Sequence, residues 1–248
     1  MPVAIGLTLL TAALVPASAE QPHHWSYSGG GGPSHWAELD TKNAACGDGK
    51  SQSPVNIRTQ DVRRTPLPKL MFNYRPTPLH IIDNGHSVEV DVEPGSVLKF
   101  GDKSYQLVQF HFHHPSEELI NGRRSDMVAH LVHRDTEGKL AVVAALFRTG
   151  QPNATVEALW SHLPKQKEQK ADFKDVLINP AGLLPMDRSY FTYTGSLTTP
   201  PCSEGVRWVV LRSPSTLSKH EIAVFADLYP NDARPVQKLN GRQVLGTK

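Results

Sequence analysis

The sequence predicts one strand-rich, mainly β domain with a few surface helices, and three observations lead there. Twenty prolines and 18 glycines among 248 residues interrupt the chain too often for long helices and suit short strands joined by turns. Alternating or β-branched runs recur at 79–82, 87–92, 104–114, 126–134, 140–148 and 206–212. No linker or internal repeat divides the remainder, and 39% hydrophobic residues over this length are ample for a sizeable core.

Taken in order, the first 19 residues contain no Asp, Glu, Lys or Arg. The apolar run 3–14 and the small residues Ala17-Ser18-Ala19 before Glu20 read as a signal peptide with its cleavage site. That run is too short to span a bilayer; a buried N-terminal helix is the competing reading. The division is therefore a signal peptide at 1–19 and one domain at 20–248, exported to the periplasm or the medium without a membrane span. Residues 21–33, with four consecutive glycines at 29–32, form an irregular arm. Cys46 and Cys202 suit an oxidising compartment, where they can close one disulfide; two unpaired buried thiols are the alternative. A helix is expected over 154–163 behind the cap Asn153, and Ser218-Lys219-His220-Glu221 is a capping box opening a second helix to about Tyr229. The charged stretch 165–174 reads as a solvated surface segment. Twenty-six basic against 24 acidic residues leave a formal charge of +2, too balanced for a nucleic-acid partner.

Twelve histidines are many for a chain of this kind, and they direct attention to metal or proton chemistry. In Gln109-Phe110-His111-Phe112-His113-His114 a strand would put Gln109, His111 and His113 on one face and the two phenylalanines on the other. The run Met127–His133 could bring His130 beside that pair. Three neutral imidazoles leave the fourth tetrahedral position of a zinc ion open for water, the pattern of a catalytic site. His114 and His133 have the wrong parity and are assigned to structure or surface.

Along the chain stand His-Trp-Ser-Tyr at 24–27, Gln-Ser-Pro-Val-Asn at 52–56, Asp-Asn-Gly-His at 83–86 and Gln-Phe-His-Phe-His at 109–113. Pro-Ser-Glu at 115–117, His-Leu-Val-His at 130–133, Ser-Leu-Thr-Thr-Pro-Pro at 196–201, Arg234-Pro235 and Leu239-Asn240-Gly241-Arg242 follow in that order. With these motifs in this order the chain resembles the α-class carbonic anhydrases, in their bacterial, exported form, over roughly residues 23 to 243.

The resemblance implies a single domain around a large, mostly antiparallel twisted sheet with short helices outside. It implies zinc on His111, His113 and His130, and reversible hydration of carbon dioxide to bicarbonate and a proton by attack of zinc hydroxide. Thr198 matches the residue that aims the hydroxide, and Glu117 the acid that accepts the Thr198 hydroxyl proton; Thr199 lines the same site. Val132, Val142, Leu197, Val206 and Trp208 match the apolar wall of the CO₂ pocket. His86 matches the proton shuttle, and Tyr27 and Glu89 match positions along the cavity and its water chain. Exported relatives carry a bridge like Cys46–Cys202. The substrate is a small molecule, and the oligomeric state stays open, a homodimer included.

A catalytically silent relative and an ester hydrolase are the rival readings. The first usually lacks a zinc histidine, and all three are present; the second wants a polar substrate pocket that the sequence does not display. One departure stands out. The family usually has Glu two residues before the third zinc histidine and His after the Glu117 position; this chain has Val128 and Glu118. The paired change suggests that the carboxylate orienting His130 has moved to Glu118, directly or through one water. A Glu118 facing solvent is the alternative.

Overall fold

β-branched and aromatic side chains fit a pleated surface that is buried on at least one side, and the long runs of this chain pair accordingly. The computed structural model describes residues 24–248, and the expected signal segment lies outside them. Ten strands make up the spine of the main sheet. They are β1 (Arg63–Arg64), β2 (Thr77–Asp83), β3 (Val88–Asp91), β4 (Lys103–His113), β5 (Met127–Arg134), β6 (Leu140–Thr149), β7 (Gln169–Ile178), β8 (Tyr190–Ser196), β9 (Glu204–Leu211) and β10 (Leu245–Gly246). Their order across the sheet is β7-β2-β3-β4-β5-β6-β9-β8-β10-β1, with three further strands beside the path. Most neighbours are antiparallel; β6–β9 and β10–β1 are parallel.

Alternation decides which side chains meet. On β5, Ala129 and Leu131 enter a core cluster with Phe110, Phe112 and Val143, while Val128 enters a second cluster with Val142, Ala144 and Trp208. The two clusters lie on opposite faces of one sheet. His130 has the parity of Val128, so the histidine face is the face of the second cluster. β6 is buried along most of its length, as expected for a central strand covered on both sides.

The helices form where their caps allow. Asn153 Oδ1 accepts from the N–H groups of Thr155 and Val156 and starts the helix Ala154–Trp160, which ends three residues earlier than the apolar pattern suggested. Ser218 and Glu221 form the reciprocal capping box of the helix Lys219–Leu228. Glu221 also accepts the Asn153 N–H at 2.9 Å, so one carboxylate ties both helix starts together. No helix among the described residues is long and apolar enough to cross a membrane.

Several elements differ from expectation, two of them in the spine of the sheet. Part of the charged segment 165–174 is strand: β7 pairs antiparallel with β2 at the sheet edge, with Lys170 opposite Ile82 and Asp172 opposite His80. An edge strand has an open flank, so charged side chains cost little there and discourage further pairing. β8, Tyr190–Ser196, went unrecognised although Tyr-Phe-Thr-Tyr-Thr is rich in strand formers.

Candidate metal centre

Register brings the histidines together. His111 and His113 stand two residues apart on β4, and His130 on β5 lies directly opposite His111. Their ligand nitrogens all fall within 4.8 Å of one another. The strands supply this convergence before any side chain chooses a rotamer.

Each ring turns its other nitrogen toward an acceptor. His111 Nδ1–H donates to Gln109 Oε1 at 2.9 Å, His113 Nδ1–H to the Asp232 carbonyl at 2.8 Å, and His130 Nε2–H to Glu118 Oε1 at 2.9 Å. These bonds fix the tautomers and leave Nε2 of His111, Nε2 of His113 and Nδ1 of His130 as lone-pair donors facing inward. His113 Nε2 is buried without a hydrogen-bond partner. Burial, reinforced by the other two rings, holds His111 well below the ordinary histidine value, which keeps it neutral and fit to ligate. The set fits zinc: three nitrogen donors, each braced from behind.

Two carboxylates flank the centre. Glu117 is fully buried; its Oε1 accepts the backbone N–H of Arg234 at 2.8 Å, while Oε2 makes no hydrogen bond. That free oxygen lies 3.8 Å from both His113 Nε2 and His130 Nδ1. Glu118 is equally enclosed; burial raises its carboxyl, but the facing His130 outweighs this and leaves it below the usual glutamate value. Val128, opposite His113 in the register, packs into the second cluster.

In the loop after β8 Thr198 is buried and Thr199 half-buried. The loop is closed by Leu197 N–H to Ser203 O at 3.0 Å and Cys202 N–H to Thr199 O at 2.8 Å, and pinned by the disulfide Cys46–Cys202. Among the described residues the Thr198 hydroxyl makes no bond to Glu117 Oε2. Trp208 and His130 meet in a T-shaped pair with ring centroids 4.9 Å apart, and Trp208 donates its indole N–H to Ser196 O. Val142 pairs with Val132 across β5 and with Trp208 across β9, and Val206 and Leu197 join them in one apolar group.

His86 stands away from the triad. Its ring stacks on Trp25 at 3.6 Å between centroids and on His24 at 4.9 Å. Burial, helped by His24, pushes it down to about 4. A cleft of about 580 Å³ beside it is lined by Trp25, Tyr27, His86, Tyr229 and Asp232 among others. Tyr27 is raised well above the ordinary tyrosine value by burial, then by Glu117 and Asp232. Glu89 pairs with His111 across β3 and β4 and accepts from Gln109 Nε2 at 3.0 Å. His114 hydrogen-bonds Pro230 O, and His133 sits in the core between Tyr74 and Ala141 O, both away from the triad.

Two contributors were missed as site residues. Asp232 acts through its backbone carbonyl, a role without any side-chain signature, although its carboxyl also accepts His114 N–H and is pushed up to about 7 by burial. In the sequence Arg234 stands out only as part of the Arg-Pro match. Its backbone N–H holds Glu117, while its guanidinium bonds Gln52 Oε1, Ser53 O and Cys46 O and stacks on Trp36. Its signal would have been a buried arginine, which composition cannot show.

Comparison with known proteins agrees with this geometry. Residues 31–248 match the family model described as eukaryotic-type carbonic anhydrase. The chain is similar to a carbonic anhydrase of Nostoc sp., 40% identical over 97% of this chain and 92% of the relative. It is similar to one of Pectobacterium carotovorum at 37%, over 97% of this chain and 98% of the relative. The solved α-carbonic anhydrase of Thermovibrio ammonificans in complex with the inhibitor sulfanilamide superposes with a TM-score of 0.87 at 38% identity, covering 90% and 98% of the two chains. With the three-histidine centre in place, the chain belongs to the eukaryotic-type, or α-class, carbonic anhydrase family of zinc enzymes that hydrate carbon dioxide.

Proposed function

We propose that CO₂ hydration at this centre is divided among named residues as follows. Zinc, when bound to His111, His113 and His130, supplies the Lewis acidity that makes a nucleophile of water near neutral pH, an effect for which carbonic anhydrase is itself the standard example. Glu117 Oε2 is buried with no other hydrogen-bond partner, and we assign it the Thr198 hydroxyl proton, a bond that is not made in this structure. Thr198, so committed as a donor, has only lone pairs to offer the nucleophile and fixes its direction of attack; Thr199 completes that rim. Val132, Val142, Leu197, Val206 and Trp208 form the hydrocarbon wall against which an apolar triatomic substrate sits.

His86 carries the released proton outward. Stacked on Trp25 it is neutral and holds a proton poorly, so transfer runs with the ring turned off Trp25 into the cleft, where solvation returns its ordinary basicity. Tyr27 lines the route. Glu118 holds His130 in place of the carboxylate that Val128 cannot supply. Residues 1–19 act as a cleaved signal peptide and send the enzyme to the periplasm or medium, a reading supported by the disulfide.

The observation that carries this reading is the triad itself: three converging imidazoles, each braced by a different acceptor, with their inward lone pairs unused. Stopped-flow CO₂ hydration tests it. The purified protein should contain one zinc per chain, lose hydration on metal removal, regain it with zinc, and be inhibited by sulfanilamide. Zinc-loaded protein without hydration activity would overturn it. N-terminal sequencing of the exported protein should begin at Glu20.

A further inference from the structure

Two of the three ligand histidines are braced by groups that can only accept: a backbone carbonyl for His113 and a carboxylate for His130. His111 is different. Its acceptor is the side-chain amide of Gln109, which presents either a carbonyl oxygen or an NH₂ group depending on how it is turned. Turned the wrong way, that amide would point two hydrogens at the His111 Nδ1–H, the tautomer required for Nε2 to ligate. Something must set the amide.

Glu89 is placed to do so. It sits on β3 directly across from His111, on the same sheet face as Gln109, and its Oε2 receives Gln109 Nε2 at 3.0 Å. A carboxylate has no hydrogen to give, so the amide must offer it NH₂ and therefore turn its carbonyl to His111. The same oxygen is approached at 3.5 Å by Asn84 Nδ2, and Asn84 Oδ1 receives the backbone N–H groups of His86 and Ser87. One half-buried carboxylate thus stands between the ligand brace and the turn that carries His86.

We infer that Glu89 is a positioning residue for the metal centre: by orienting the Gln109 amide it holds His111 in the ligating tautomer. The inference rests on His111 being a zinc ligand, and that reading is checked separately by the one-to-one zinc content of the unaltered protein.

The test follows zinc release to an excess of chelator, with a circular-dichroism melt of each variant to certify folding. Glu89→Leu removes the constraint, and release should accelerate by about 10-fold or more, the usual cost of a lost outer partner. Gln109→Leu should accelerate it similarly. The combination Glu89→Leu with Gln109→Leu should be no worse than Gln109→Leu alone, because Glu89 acts only through the amide. Glu89→Leu with Gln109→Glu should return release to about the wild-type rate, since a carboxylate at 109 has no wrong orientation. Unchanged release in Glu89→Leu, or additive losses in the double leucine variant, would overturn the inference while leaving the zinc site intact.

Discussion

Glu118 Oε1 accepts a 2.9 Å hydrogen bond from His130 Nε2, and the two side chains are 0% and 1% exposed. The carboxylate reaches the histidine from the turn after β4, whereas the residue two before His130 on its own strand is the apolar Val128. The pairing is dry, so it resists screening by salt and is costly to break.

Glu118→Gln keeps the shape but surrenders the charge. We expect zinc release to a chelator to accelerate between about 10- and 100-fold, with hydration by fully loaded enzyme reduced less. Release at the wild-type rate would show that Glu118 does not hold His130.

His86→Ala should lower kcat in weak buffer and leave kcat/KM for CO₂ unchanged, because hydration precedes export of the proton. Imidazole buffer should restore part of the rate. Trp25→Ala opens one face of the ring to water, and the His86 titration followed by NMR should move up from about 4 toward about 6.5. A midpoint that stays near 4 would remove Trp25 as the cause.

His133 is buried against Tyr74 and Ala141 O and is pushed down to about 4, chiefly by burial. The unfolded chain takes up this proton at about pH 6.5, the folded chain only near 4. Stability from this residue is therefore complete above pH 6.5 and drains away as pH falls through that interval. The loss reaches at most about 3 kcal/mol by pH 4. Acid unfolding of the wild type should steepen over this window, and the His133 ring should show no titration by NMR above about pH 5.

Replacing Cys46 and Cys202 by serine opens a loop of 156 residues in sequence separation. The unfolded chain gains freedom worth a few kcal/mol, so Tm should fall by on the order of 10 °C. The same change loosens the loop holding Thr198 and the Cys46 carbonyl that Arg234 grips, so kcat/KM should fall as well. An unchanged melting curve would mean that the native contacts alone hold that loop.

What the sequence made legible is what repeats locally. His111 and His113 share a face because a strand has a period of two, and Phe110 and Phe112 take the core for the same reason. The Ser218 box was readable because both partners lie within one helical turn. The edge strand β7 escaped notice because an exposed edge needs no apolar alternation and tolerates Lys170 and Asp172. Asp232 and Arg234 escaped because their roles are played by backbone atoms against residues well over a hundred positions away, contacts that only the closed sheet creates.

That distance has a consequence for how the enzyme is born. A growing chain halted before residue 232 would already carry all three histidines, yet lack the carbonyl that braces His113 and the N–H that anchors Glu117. A fully braced zinc pocket therefore forms only after residues 232–234 have been made and have folded back onto the sheet. Tight metal retention waits on that long-range closure, and the compartment where the polypeptide completes its fold decides which ions it meets.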